Sequence, residues 1–499
     1  MEIIALFAIS YAIWGRTTIM MRILTGYTAL LCIAGVAISG SRGGYLSTVF
    51  GSAVLLILSL IAWRRMQREH FSFAAISALV ASFALFGGIL FIVFMSPTLS
   101  NRVMLINDPE NMRLLLWHSA IQQFHTSPIW GTGGFSFLYF GRLFRDPSVQ
   151  NDPIHAHNDY LQLLADYGLV GMVLFVILLL AHLRAGGASF LKLSASSSNS
   201  SSPQSDRLAL NIAAISSVAA YMVHSVVDFN MQLPLNALMM ASVFAILANP
   251  GSPYEESRSK VAGEGFRKFL RYSLPVLSLA ILIYGIPMIR GEYLAERARV
   301  ALRDGHPQEA LDFAREGTPT PQSNPELYFY RGEAALQLAM QQNKKKDFNP
   351  QILRLEAVGS FSSGLKIFPY DSRLALKLAQ AQAAAGDYFS AIGSVTYAER
   401  LDPNSAFVPA YRGLIEYANG NYEDAKIAFD QSILLGGQGA DIAKQGLDLV
   451  NKELDKSNEP QEITLPAEEN PASPNSQPTP EAGDSGNDLM QALPPPKPQ

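Results

Sequence analysis

The stretch DPIHAHNDYLQLLADYGLVG, residues 152–171, crowds two histidines, an asparagine and an aspartate just ahead of an apolar run. In an extended loop His155, His157 and Asp159 lie on one side, because side chains alternate along an extended backbone. Imidazoles and a carboxylate so grouped can hold a metal, anchor a helix end or handle a proton. Only three such ligands are local and no cysteine is near, which is poor provision for a zinc site. Asn158 or Asp159 can cap the helix that follows. A histidine here can also orient or deprotonate a substrate, since imidazole titrates near neutrality.

Three earlier segments carry chemistry of their own. In SGSRGGYL (39–46) the glycines permit close approach of a backbone or a ligand, and Arg42 offers a permanent planar cation suited to phosphate oxygens. Its plain alternative is an arginine snorkelling at a membrane interface. NMRLLLWHSAIQQF (111–124) has the apolar spacing of an amphipathic helix, with Arg113 and Trp117 at i and i+4 on one face. An interfacial helix anchored by Trp and Arg would look the same. SPIWGTGGFSF (127–137) carries Gly131, Gly133 and Gly134 in a tight loop; no Lys-Ser/Thr follows, so it is no P-loop, and a structural turn is the simpler reading.

The elements that must position these residues are set by composition. The 499 residues are 49% hydrophobic and 16% charged, with mean hydropathy +0.14. Up to about residue 290 the chain is dominated by long apolar runs; beyond it is polar, charged and alanine-rich. Since a bilayer core needs roughly 20 apolar residues per helix, the runs near 20–40, 44–63, 72–95, 160–182, 207–227, 231–248 and 272–289 predict membrane helices. The opening run, 2–14, lacks the basic start and cleavage site of a signal peptide and predicts a further membrane segment. Net charge is −4, which supplies no basic field for nucleic acid. The single cysteine, Cys32, permits no intramolecular disulfide.

Lysine and arginine concentrate in 63–71, 183–206 and 249–271, with Arg258, Lys260, Arg267, Lys268 and Arg271 in the last. The positive-inside bias places these loops in the cytoplasm. The loop 96–159, Arg42, the turn at 228–232 and everything after about 290 are then outside. Met1 falls outside too, which implies further helices ahead of it.

In the polar half, Gly386 and Gly420, Tyr388 and Tyr422, Ala391 and Ala425, and Pro369 and Pro403 recur at a 34-residue interval, the tetratricopeptide period. DGHPQEALDFA (304–314) reads as a degenerate copy. Residues 456–499 are too rich in proline and polar residues to pack and are expected to be disordered. The expected fold is all-α: a polytopic membrane domain of about eight helices over 1–289, a tetratricopeptide-like solenoid over 290–455 and a disordered tail.

The order SRGGYL, MRLLLWHSA, SPIWGTGGFSF, HAHNDYLQLLADYGLVG and HSVVDFNMQLP (224–234) resembles the O-antigen ligase and Wzy-type polymerase superfamily, bacterial inner-membrane glycosyltransferases of the broad GT-C class, over about residues 20–250. Some members of that superfamily carry C-terminal tetratricopeptide repeats, and members usually carry more helices ahead of SRGG. The resemblance implies inverting transfer of a glycan from a polyprenyl-diphosphate carrier to a lipid or protein acceptor on the periplasmic face, with neither metal nor cofactor. Carried over by motif, Arg42 and Arg113 are the diphosphate-binding arginines and His157, directly before Asn158, is the catalytic histidine. Asn158, Asp159, His155, Trp117, His224 and Asp228 are supporting positions. The repeats are expected outside the cytoplasm, offering a groove to a partner protein.

Three other readings stay open. A polymerase of the same superfamily would extend a lipid-linked chain. A structural membrane scaffold would recruit partners through the repeats, and a degenerate, truncated paralogue would bind glycolipid without catalysis. A transporter should show mid-membrane charges or paired broken helices, and neither pattern is evident in the sequence.

Overall fold

The computed structural model describes residues 1–66, 88, 112–152, 154–196, 204–248, 264–318, 324–342 and 349–458. The expected membrane run 72–95, most of the basic loops 63–71 and 249–271, the first part of the loop 96–159, the serine run at 197–203 and the tail from 459 onward lie outside the described residues. Every regular element among the described residues is helical. The chain divides into two compact units: residues 1–144 with 153–264, and residues 145–152 with 265–499.

The first unit begins with α1 (Glu2–Trp14), α2 (Ile19–Ile38) and α3 (Arg42–Met66), followed by α4 (Met112–Thr126) and α5 (Phe137–Leu143). It closes with α6 (Asp159–Ser196), α7 (Asp206–His224), a 3-10 turn at Asn230–Gln232 and α8 (Pro234–Ala248). Helices α2, α3, α6 and α7 are long and apolar enough to cross a membrane. Helices α1 and α8 have 13 and 15 residues. At a rise of about 1.5 Å per residue neither spans a core of roughly 30 Å unaided.

Helix α7 is the pillar of this unit. It buries Ala209, Ala213, Ala214, Ser216, Ser217 and Ala220 along its length. Facing it, α3 buries Gly44, Thr48, Gly51, Leu55, Ser59 and Ala62 at alternating helical intervals. Small residues on both sides let backbones approach closely, the usual device for helix pairs in lipid. A Cβ on Gly51 would come 2.7 Å from Ala220 Cβ, so the crossing requires glycine there. Polar side chains inside the bundle find partners: Ser10 donates to the Ala209 carbonyl at 2.7 Å, Trp14 to Ser59 at 3.0 Å and Asn211 to the Gly186 carbonyl at 3.2 Å. The last of these, with Leu247 packed on Gly186, carries α6 as helix to Ser196, past the apolar run that ends at 182.

Sequence periodicity gives no hint that α6 is interrupted, but it breaks at Gly168, where φ is 64° and ψ −165°. Only glycine tolerates that conformation. The broken backbone pairs with the glycine loop before α5. Thr132 and Gly133 N–H groups donate to the Ala165 and Asp166 carbonyls at 3.1 and 2.9 Å, and Leu169 and Val170 N–H groups donate to the Pro128 and Ile129 carbonyls at 2.9 and 3.1 Å. Irregular backbone at membrane depth is tolerated where protein supplies such partners. The glycine loop 127–137 is thus a structural turn, and Gln123, Ser136 and the Phe135 N–H lock it further onto the Asp166 carboxylate.

The second unit contains α9 (Glu264–Arg303) from residue 265 onward, whose segment Arg271–Arg303 is the fifth candidate membrane span among the described residues. It continues with α10 (Pro307–Gly317), α11 (Pro325–Gln342), α12 (Gln351–Ile367), α13 (Ser372–Ala384), α14 (Tyr388–Leu401), α15 (Phe407–Ala418), α16 (Tyr422–Leu435) and α17 (Gly437–Asn458). Successive helices pack as neighbours. Gly386 and Gly420, 34 residues apart, turn the chain at φ 88° and 83° ahead of α14 and α16. Packing covaries with the interval: Ala379 and Val395 occupy, one period earlier, the positions of Gly413 and Phe429. A Cβ on Gly413 would meet the Phe429 ring at 2.5 Å, so the larger ring demands the smaller partner.

Candidate functional site

All residues of the site lie in the first unit, and the loop before α6 organises it. His157 adopts φ 51°, a left-handed conformation that histidine tolerates better than most residues. The turn frees Asn158 to cap α6, its Oδ1 accepting from Tyr160 and Leu161 N–H at 3.0 and 3.1 Å. Asp159, 1% exposed, ties the loop to the segment after α7: its N–H donates to the Ser225 carbonyl at 2.9 Å and its Oδ2 accepts from the Met231 N–H at 2.9 Å.

Those ties bring His157 to Asp228. The buried Nδ1 of His157 lies 3.6 Å from Asp228 Oδ1, ion-pair range just beyond hydrogen-bond length. The other carboxylate oxygen lies 3.6 Å from Nε2 of His224. His224 Nδ1 in turn sits 2.8 Å from Glu2 Oε1 and donates to it, and Ser47 donates to the second oxygen of Glu2. The result is a chain of alternating carboxylates and imidazoles, Glu2–His224–Asp228–His157. Burial works against ionisation of Asp228, but His157, His224 and the Phe229 N–H outweigh it and hold the carboxyl well below its usual range. Phe229 separates the two loop histidines, stacking on His155 at 4.5 Å and meeting His157 edge-on at 4.9 Å. Burial, then the neighbouring His157, pushes the His155 pKa down. His157 keeps 35% of its side chain exposed, so it is reachable from solvent.

Two earlier motifs reach the same place through their neighbours. Trp117 Nε1 donates to the His157 carbonyl at 3.3 Å, which sets α4 against the loop. Arg113, half-buried, stands one helical turn before Trp117 on the same face. Arg42 opens α3, and the adjacent Gly43 presses on the late motif: a Cβ there would lie 2.8 Å from both His224 Cδ2 and Val227 Cγ2. The glycine motif, by contrast, is placed at Asp166 and Gly168, where it supports α6.

Two residues of this site, Glu2 and Phe229, are not singled out by the sequence motifs. A carboxylate in the first turn of an apolar helix was the available signal for Glu2, because such groups are costly in a membrane unless partnered. Among the described residues no group of three His, Cys, Asp or Glu side chains has metal-holding geometry.

Residues 27–176 match the family model described as O-antigen ligase. A protein of Rickettsia conorii, provisionally named a polysaccharide ligase, is 26% identical over 179 residues, 34% of this chain and 39% of that protein. The chain therefore spans about two fifths of the length of the curated relative it matches. Arg42, Arg113, Trp117, His155, His157, Asn158 and Asp159 fall inside the matched family segment; Glu2, His224 and Asp228 fall outside it. This chain is a multi-pass membrane protein by its apolar helices, and its residues 27–176 are similar to the O-antigen ligase family.

Proposed function

We propose that this chain is a ligase-type membrane glycosyltransferase that moves a glycan from a polyprenyl-diphosphate carrier to a lipid or protein acceptor on the outer face of a bacterial inner membrane. The observation that carries this reading is the 3.6 Å approach of His157 Nδ1 to Asp228. A carboxylate there favours the proton on Nδ1 and leaves Nε2 as the basic atom. Nε2 then takes the proton from an acceptor hydroxyl as it attacks the anomeric carbon on the face opposite the leaving group, inverting that centre. The diphosphate gains charge as the glycosidic bond breaks. Arg42 and Arg113, on helices set against the same loop and its neighbours, stabilise that charge without a metal.

Ligase is preferred over polymerase because both the family description and the relative's name are those of ligases. The chain reconstituted in liposomes with a polyprenyl-diphosphate-linked oligosaccharide and a core-lipid acceptor should form the glycosylated acceptor. His157→Ala should abolish transfer at normal expression. Arg42→Lys and Arg113→Lys should each lower turnover by about 10²-fold, since a point charge cannot reproduce the planar fork. Full transfer by His157→Ala sinks the catalytic reading; elongation of the donor itself with the core lipid untouched makes the chain a polymerase.

A further inference from the structure

The second unit incorporates a piece of chain remote from the rest of its sequence, residues 145–152. Arg145 and Asp402 are 3% and 4% exposed. Arg145 Nη2 donates to Asp402 Oδ2 at 2.5 Å and to Asp152 Oδ1 at 3.3 Å, while Nη1 donates to the Val149 carbonyl at 3.4 Å. The backbone is gripped as well: Asn404 Nδ2 donates to the Arg145 carbonyl at 2.7 Å. Gln150 bridges back, Nε2 donating to the Asn404 carbonyl and Oε1 accepting from the Ala406 N–H, both at 3.0 Å. Gly437, at φ 67°, brings the start of α17 against Gln150, where even a Cβ would come within 3.0 Å. The segment therefore fills a slot built by the α14–α15 turn and the start of α17.

A buried ion pair adds little stability over apolar residues of the same size, because desolvating both charges offsets their attraction. What such a pair does enforce is one arrangement, since any slip leaves a charge buried alone. The arrangement enforced here is that of residues 145–152, whose last member, Asp152, stands three positions ahead of His155 and five ahead of His157 in the sequence.

We propose that the helical-repeat unit holds residues 145–152 so as to set the conformation of the histidine loop, with Arg145 and Asp402 as positioning residues that do not touch substrate. The slot is filled by the chain's own loop, so the unit acts on transfer from within the molecule and not only through a recruited partner. The activity arm of the test rests on the function proposed above; the structural arm does not.

The test is hydrogen exchange on the full chain in nanodiscs, comparing wild type with Arg145→Met and with the double variant Gln150→Ala/Asn404→Ala, which strands no buried charge. In both, amides of 145–152 and 155–158 should exchange about tenfold faster while those of α13–α16 keep their rates. If Arg145→Met also loosens α13–α16, the double variant decides. In the transfer assay the same variants should lower kcat about tenfold and leave the donor KM within about twofold. Unchanged exchange at 155–158 in the double variant, with 145–152 accelerated, overturns the proposal. Coupled acceleration in a wild-type background that transfers no glycan would leave the positioning intact and defeat the function instead.

Discussion

Asp228 stands 3.6 Å from Nδ1 of His157, and its second oxygen is the same distance from His224. The two histidines come from motifs far apart in the chain, so Asp228 is where the loop before α6 and the end of α7 are joined electrostatically. In the proposed mechanism this carboxylate fixes the tautomer of His157.

Asp228→Asn should therefore impair chemistry more than binding. A carboxamide preserves shape but not the preference for a proton on Nδ1. Turnover is expected to fall by about 10²–10⁴-fold with the donor KM little changed. Steady-state kinetics on a soluble donor analogue would measure this, and turnover within about twofold of wild type would separate Asp228 from the reaction.

The same carboxyl makes a prediction about acid. Its folded-state pKa lies below the ordinary aspartate value, so its contribution to stability is fully present above the unfolded value of about 3.9 and is lost as pH falls through that value toward the folded one. Around pH 5, above the unfolded carboxyl value, wild type and Asp228→Asn should differ by the full contribution of the ionised carboxylate. Below about pH 4 the gap should narrow. Thermal unfolding in detergent across the acid range tests the sign; a gap that widens on acidification contradicts the assignment.

Gly168→Ala is expected to be among the most damaging single substitutions in the first unit. Its backbone lies at φ 64° and ψ −165°, and a Cβ would come 2.4 Å from the Ile129 carbonyl oxygen. Strain and steric conflict together should cost about 3 kcal/mol or more. Gly187→Ala, with nothing within 4 Å of its added Cβ, is the matched control in the same helix. Equal melting temperatures for the two variants would show that the break at Gly168 is dispensable.

Orientation is open to direct measurement. The arginine and lysine bias assigns 63–71, 183–206 and 249–271 to the cytoplasm. Alkaline phosphatase fused after residue 300 should be active and a cytoplasm-dependent reporter at the same point silent. The reverse pattern would put the repeats opposite the proposed outer-face chemistry and remove the basis for the positioning role of Arg145.

What the sequence determined by itself is what depends on chain neighbours. Apolar runs of membrane length, Asn158 as a cap for the helix it precedes, and the 34-residue recurrence that places Gly386 and Gly420 at equivalent turns are all local patterns. Motif order was legible for the same reason and pointed to His157 before any geometry. The tertiary structure alone decided the partners. Glu2 meets His224 across 222 residues, Trp117 donates to the carbonyl of His157, and Arg145 finds Asp402. No periodicity encodes such pairs, because a buried charge or donor is satisfied by whichever group the packing of whole helices brings within reach. Gly168 shows the same limit from the other side: an isolated glycine in an apolar helical run reads as tolerated, and only the carbonyls and N–H groups of residues 128–133, folded against it, make the break affordable in lipid.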